Sequence, residues 1–329
     1  MQRSLVTGGA GFIGSHLVDA LLDEGHEVVV LDDLSVGKSR NFEHHLGDSR
    51  FQFVEGSVLD ACLVGDLIAQ VDAVYHLAAV VGVKYIVGNP LLGMQVNIKG
   101  TENVLGAAQR TGAKVLVASS SEVYGKSTQI PFKEEDNAVL GPTSVPRWSY
   151  ALSKMLDEHL AFAHTRQTGL PTVAVRYFNA YGPRLDPKGY GSVIARFIAQ
   201  ALHGQPLSIY GDGLQTRSFT YVRDTVRGTI AAMTSDSGVG HAFNIGYAME
   251  FTIAALADLV RDVVGTGVGV AHIPYERAFG SDFEDARRRY PDVSRARALL
   301  GFEASTSLAD GLPATVQWFR EQRDDLNSA

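Results

Sequence analysis

The chain has almost no cysteine. Cys62 stands alone, so an intrachain disulfide framework and a cysteine-based metal cluster are both excluded, and a reducing compartment is expected. Prolines number only 11, and the 34 glycines follow no Gly-X-Y period, which excludes a collagen-like fibre. No apolar run reaches the roughly 18 residues that a spanning helix needs, so no membrane association is expected. No basic leader with a cleavage site precedes the first apolar segment, and a cytoplasmic location is expected. Basic charge is in deficit, with 29 Lys and Arg against 36 Asp and Glu and a net charge of −7. That balance argues against a nucleic-acid partner.

What is present is a long globular chain: 329 residues with 45% hydrophobic content. It exceeds one ordinary domain unit and can bury a large core. Short apolar runs at Ser4–Thr7, Glu27–Leu31, Phe51–Glu55, Asp72–Leu77, Lys114–Ala118 and Thr172–Tyr177 read as strands. Helical spacing lies between several of them, at Ser15–Glu24, Met94–Thr111 and Tyr150–Gln167. Strand alternating with helix predicts a doubly wound parallel sheet. After Asn179 the pattern changes to helices at Ser192–Leu202, Val222–Thr234 and Ile253–Val264, with a strand at Leu207–Tyr210. Residues 271–290 read as irregular. The expectation is an α/β Rossmann-type domain over 1–178 with a returning part near 212–246. A smaller mixed α/β lobe is expected over 179–211 and 247–320, with a frayed tail at 321–329.

The glycines concentrate chemistry. Gly8, Gly11 and Gly14 follow the first strand and open the first helix. Such a loop gives a tight turn, lets a pyrophosphate approach the backbone, and presents unpaired helix N–H groups to it. Asp32, at the end of the second strand, lies 18 residues past Gly14. A carboxylate there accepts from a ribose and repels a 2′-phosphate, which favours NAD. Lys38 and Arg40 just beyond keep an NADP reading open. Asp60 is read either as a helix N-cap or as a contact to the adenine edge. His76 ends an interior strand and reads first as a buried, hydrogen-bonded histidine.

Tyr150 and Lys154 are four apart and share one helix face. A phenol titrates near pH 10, so it serves as a base at neutrality only beside a cation such as Lys154. Ser120 and Ser121 end a strand and can hold a reacting oxygen beside Tyr150, or cap a turn. Glu122 is either a solvated turn acid or a group for chemistry beside a transient ketone.

These pieces together resemble the extended short-chain dehydrogenase/reductase family, in its NAD-dependent nucleotide-sugar epimerase and dehydratase group. The resemblance runs over about 1–318. It rests on Gly8-Gly9-Ala10-Gly11-Phe12-Ile13-Gly14, on His76-Leu77-Ala78-Ala79, and on the serines before Val123-Tyr124-Gly125. It continues through Tyr150 with Lys154, Arg176-Tyr177-Phe178-Asn179-Ala180-Tyr181-Gly182-Pro183-Arg184, and Gly211-Asp212-Gly213 with Gln215-Thr216-Arg217. It implies NAD held by Phe12, Ile13, Asp32, Asp33, Ser35, Gly37, Lys38, Asp60, Leu77, Ala78, Ala79, Asn97, Tyr150, Lys154 and Tyr177 besides the three glycines. It implies a UDP-sugar held by Lys84, Tyr85, Asn179, Arg184, Val193, Tyr210, Arg217 and Arg289, with no metal, in a homodimer packed through helices like 94–111 and 150–167.

Within that group the chain is most similar to UDP-glucuronate decarboxylases, through Ser121-Glu122-Val123-Tyr124-Gly125, Pro146-Arg147-Trp148-Ser149-Tyr150 and Arg287-Arg288-Arg289. The resemblance implies that Tyr150 takes the 4-hydroxyl proton while NAD takes the C4 hydride. The β-keto acid then loses CO₂ near Arg289 and is re-reduced to a UDP-pentose. The same machinery serves a nucleotide-sugar 4-epimerase, which is the alternative, and a 4,6-dehydratase is a third. A redox sensor without catalysis would lack Tyr150 or Lys154, and both are present. The Arg287–Arg289 run can equally be a surface patch.

Overall fold

The computed structural model describes residues 2–82, 88–186, 192–279 and 286–322. Seven strands form one parallel sheet: β1 (Arg3–Thr7), β2 (Glu27–Asp32), β3 (Phe51–Glu55), β4 (Ala73–His76), β5 (Lys114–Ser120), β6 (Thr172–Tyr177) and β7 (Ala242–Ile245). Their order is β7-β6-β5-β4-β1-β2-β3. The chain reverses direction of travel between β1 and β4, where Thr7 pairs with His76. In open parallel sheets a crevice opens beyond the strand ends at that point, and ligands bind there.

Burial on both faces explains the strand sequences. Val28 to Leu31 of β2 are all nearly inaccessible, as are Val115 to Val117 of β5. Helix α1 (Phe12–Asp23) covers one face through Leu17, Val18, Leu21 and Leu22, each at most 2% exposed. Full burial of each is worth roughly 1.5–3 kcal/mol. The other face is covered by α2 (Ala61–Ile68), α3 (Gly100–Thr111) and α4 (Trp148–Thr168). Left-handed glycines end two of these, Gly112 after α3 and Gly169 after α4.

A separate apolar cluster joins α5 (Val193–Leu202), α7 (Ile253–Val264) and α8 (Leu308–Glu321), with Phe197, Leu256 and Phe319 at its centre. Between α5 and α7, α6 (Val222–Thr234) returns to the sheet through Val226 and Met233.

Four expectations need correction. Helix α1 begins at Phe12, not Ser15, because Gly11 itself caps it and the glycine loop runs straight into its first turn. The segment Met94–Thr111 is not one regular helix. A short turn at Pro90–Met94 passes through a π-helical turn at Gln95–Lys99 before α3 begins. There Asn97 is buried, accepting from Val80 N at 2.8 Å and donating to Ser153 Oγ at 3.0 Å. Those two bonds are the compensation a widened turn requires. Ala242–Ile245, which the sequence reading leaves without a strand, forms β7 in parallel with β6. Residues 271–290 are not wholly irregular, because Val270–Ile273 pairs in parallel with Leu207–Tyr210. Among the described residues, no helix is long and apolar enough to cross a membrane.

Candidate active site

A cavity of about 540 Å³ opens over the switch point between β1 and β4. That is an ordinary size for a site taking a small molecule. One end is lined by the glycine loop. Gly8 has φ of +73°, and a Cβ on it would lie 2.8 Å from Ala78 N. A Cβ on Gly14 would lie 2.1 Å from Gly8 O, closer than any real contact. Gly11 differs: a Cβ there would meet only Gly8 O, at 3.2 Å. Two glycines therefore close the turn against protein, and the third leaves the rim bare. Gly14→Ala is expected to strip this site. Overpacking against backbone costs about 1–3 kcal/mol or more, so a thermal scan should show a midpoint several degrees lower, and dinucleotide binding by calorimetry should vanish.

Asp32 closes this end. Its Oδ2 accepts from Ala10 N at 3.0 Å and its Oδ1 from Leu34 N at 2.9 Å. Burial raises its pKa against those bonds. Asp33, Ser35, Gly37, Phe12, Ile13, Leu77, Ala78 and Ala79 also line the cavity. Thr7 Oγ1 accepts from Ala78 N and is bonded to His76 Nδ1 at 2.8 Å. His76 is buried, with Thr101 on its other nitrogen. Burial, then Lys154, holds its pKa down at about 3, so it is neutral and structural.

The other end holds the ionisable groups. Tyr150, Lys154, Ser120, Ser121, Glu122, Arg289 and Tyr177 all line it. Ser120 and Tyr150 share a hydrogen bond, and Ser120 Oγ also accepts from Glu122 N at 3.2 Å. The serine therefore both caps the turn Ser121–Tyr124 and faces the phenol. Burial drives the Tyr150 pKa well above the ordinary tyrosine range, and the charge of Glu122 adds to this.

The Arg287–Arg289 run divides by direction. Arg287 is exposed and paired with Asp212 at 2.8 Å, and Arg288 is exposed and paired with Glu250. Arg289 turns inward, is 4% exposed, and pairs with Glu122. The opposite directions of Arg288 and Arg289 follow from their two-residue strand, which pairs with Thr216–Arg217. Arg147 takes the other Glu122 oxygen at 3.3 Å. Burial opposes ionisation of Glu122, but the charges of Arg289, Arg147 and Arg217 prevail and hold its pKa at about 2. It is a carboxylate throughout the neutral range, not a proton donor.

Other expected residues fall elsewhere. Asn179 lines the cavity, whereas Lys38, Asp60, Asn97, Arg184, Val193, Tyr210 and Arg217 do not. Asp60 caps α2, accepting from Cys62 N and Leu63 N at 3.0 Å. Lys38 bonds through its backbone N–H to Ala10 O. Arg184 pairs with Asp19 of α1 at 2.8 Å. Val193 begins α5, next to the cavity-lining Ser192. Tyr210 lies under the Arg196 guanidinium, 4.2 Å from its ring centre. Lys84 and Tyr85 lie outside the described residues.

Three groups escaped the sequence reading: Arg147, Asp157 and Glu158. Arg147 lies in the Pro146–Tyr150 segment, where its local sequence assigns it no role. Glu158 takes Ser119 Oγ at 2.5 Å and pairs bidentately with Arg176 at 2.7 and 2.9 Å. Because Glu158 sits eight residues past Tyr150, it fastens the tyrosine's helix to the strand end bearing Ser120.

A switch-point crevice, a phosphate-sized glycine loop and a tyrosine–lysine pair define an α/β nucleotide-binding enzyme that moves protons. The chain belongs to the NAD dependent epimerase/dehydratase family, which matches residues 4–246. It is 43% identical over 324 residues to a UDP-N-acetyl-alpha-D-glucosaminuronate decarboxylase of Bacillus cytotoxicus, covering 98% of this chain and 99% of that one. It is 38% identical to UDP-glucuronic acid decarboxylase 1 of Xenopus tropicalis, covering 98% of this chain and 73% of that one. The solved UDP-glucuronic acid 4-epimerase of Bacillus cereus, in complex with UDP-glucuronic acid and NAD, superposes with a TM-score of 0.87 at 31% identity, covering 97% of this chain and 99% of that one.

Proposed function

We propose that this chain is an NAD-dependent decarboxylase of a UDP-uronate, with UDP-glucuronate as its substrate. The observation that carries the reading is Arg289, turned into the cavity that Tyr150 also lines and held by Glu122. A guanidinium fork pairs bidentately with a carboxylate, and this one lies in the same cavity as the proton-transfer pair. The decarboxylase relatives, each matched by 98% of this chain, support the same reaction class.

The glycine loop and Asp32 fit NAD. Gly11 leaves room for a pyrophosphate, and Asp32 is a fixed carboxylate suited to a ribose diol and unsuited to a 2′-phosphate. Bound NAD supplies the acceptor, and later the donor, of a hydride at sugar C4, and its positive ring favours a neighbouring tyrosinate.

The chain's own residues handle protons and charge. Tyr150 takes the proton of the 4-hydroxyl, with Lys154 offsetting the burial that disfavours a phenolate. Ser120 holds the same oxygen. A ketone at C4 makes the uronate a β-keto acid, and loss of CO₂ leaves an enolate. Ser120 and the protonated Tyr150 donate to that enolate oxygen. Arg289 fixes the departing carboxylate, while Glu122 and Arg147 fix Arg289. Residues 1–178 with 212–246 hold NAD, and 179–211 with 247–320 hold the UDP-sugar. Exposed Leu91, Leu92, Leu152 and Leu156 suit a homodimer seam, and the low cysteine count suits the cytoplasm.

Two further readings each have a specific observation behind them. The 43% identical relative acts on a 2-acetamido uronate, and the Bacillus cereus neighbour is a 4-epimerase. One experiment separates all three. Purified protein is incubated with NAD and either UDP-glucuronate or its 2-acetamido analogue, and products are read by mass. A product lighter by one CO₂ from UDP-glucuronate is expected. The same loss from the analogue alone reassigns the substrate, and an isomer of unchanged mass overturns decarboxylation in favour of epimerisation.

A further inference from the structure

Helix α4 carries a third ionisable group one turn beyond Lys154. Asp157 Oδ2 accepts from Lys154 Nζ at 3.1 Å, and the two side chains are 0% and 3% exposed. A buried carboxylate is costly unless it is paired, and nothing in the mechanism above uses this one.

Burial and the charge of Glu158 raise the pKa of Asp157, while Lys154 and a hydrogen bond from Thr101 hold its charged form. The other acids nearby are engaged elsewhere. On the same helix Glu158 is taken by Ser119 and Arg176. At the end of β5, Glu122 is taken by Arg289 and Arg147, and Ser120 by Tyr150. From β4 comes His76, which is neutral, and from α3 comes the uncharged Thr101. Asp157 is thus the acid committed to the lysine.

We propose that Asp157 is a positioning residue for Lys154: its carboxylate anchors the ammonium in the cavity floor and sets the pH at which Tyr150 can accept a proton. The inference rests on the Tyr150–Lys154 reading above. The anchor orders a side chain with many rotamers at the point where it must act. The charge works in the opposite sense to the lysine. Lys154 favours the tyrosinate, and a fixed anion beside Lys154 offsets part of that help. Its field on Tyr150 acts in the same direction as burial and Glu122, which raise the phenol. The pair therefore trades some phenolate for a lysine held in one place. Removing the charge lowers the Tyr150 pKa, so the acid limb of the proton-transfer step moves to lower pH.

The test is a single turnover of NAD-loaded protein mixed with UDP-glucuronate and, separately, with its 2-acetamido analogue. Reduced nicotinamide absorbance is followed across pH. Hydride loss precedes both CO₂ loss and epimerisation, so the readout survives if the decarboxylase reading fails. Asp157→Asn is expected to move the acid limb down by about one pH unit. Asp157→Glu keeps the charge and is expected to keep the limb, with a lower plateau. An unmoved or raised acid limb in Asp157→Asn, whatever its height, overturns the proposal. If that variant does not fold, Asp157→Ser makes the same neutral substitution with a smaller side chain. If neither sugar is oxidised, the substrate reading fails by itself. The proposal is then read by ultraviolet titration of tyrosinate in NAD-loaded protein, taken as a difference against Tyr150→Phe. The Tyr150 step should again move down in Asp157→Asn, and its failure to move overturns the proposal.

Discussion

Replacing Tyr150 by phenylalanine is expected to lower turnover of the UDP-uronate about 10³-fold while leaving the fold and NAD affinity nearly unchanged. The ring is retained and only the hydroxyl is lost, so packing at the start of α4 is preserved. What disappears is the group that shares a hydrogen bond with Ser120 and faces the cavity. A positioned acid or base contributes roughly 10²–10⁴ in rate, and here one hydroxyl is asked to do both duties in turn. Burial raises the tyrosine, so the wild-type acid limb reports how far Lys154 and the bound cofactor bring it back. The variant should show no such limb. The measurement is steady-state turnover with calorimetric NAD binding on the same preparation. Turnover within tenfold of wild type removes Tyr150 from the role proposed for it.

Much of this fold was readable because its signals are local. The β1–loop–α1–β2 unit spans fewer than 35 residues, and its glycines, apolar stripe and terminal Asp32 each constrain neighbours in sequence. Tyr150 and Lys154 were legible for the same reason, since a spacing of four fixes a shared helix face. The state of Glu122 was not legible. Its partners lie 25 and 167 residues away, and a glutamate at a turn reads the same whether it is solvated or held by two guanidiniums. Asp60 shows the converse: its capping duty is local and was foreseen as one of two readings. The π turn at Gln95–Lys99 was invisible because its cause, Asn97 reaching Val80 and Ser153, is tertiary. Arg184 and Arg217 are expected at the substrate through the family resemblance, which carries no information on their tertiary partners. In the fold Asp19 of α1 sits beside the first.

Arg289→Gln is expected to cut decarboxylation by about 10²–10³-fold, more than either Arg287→Gln or Arg288→Gln, which should stay within twofold. The contrast follows from burial. The two outer arginines form exposed pairs with Asp212 and Glu250, and such pairs are worth about 0–1 kcal/mol. Arg289 is 4% exposed and pairs with Glu122 inside the cavity. Truncating one partner of a buried charge pair typically costs 2–5 kcal/mol, and the substrate carboxylate loses its cation at the same time. A purely structural arginine would lower the melting temperature and leave activity per folded molecule intact, so both are measured on one sample. The pH dependence gives a second check. Glu122 is held at about 2, below the ordinary glutamate value, so its contribution to stability is present above about pH 4.5 and is lost as pH falls toward 2. With Arg289 gone and Arg147 remaining, that pKa rises, and acid unfolding should begin at a higher pH than in wild type. If Arg289→Gln decarboxylates within fivefold of wild type, the inward arginine is packing, and the carboxylate of the substrate must be held by another cation of the cavity.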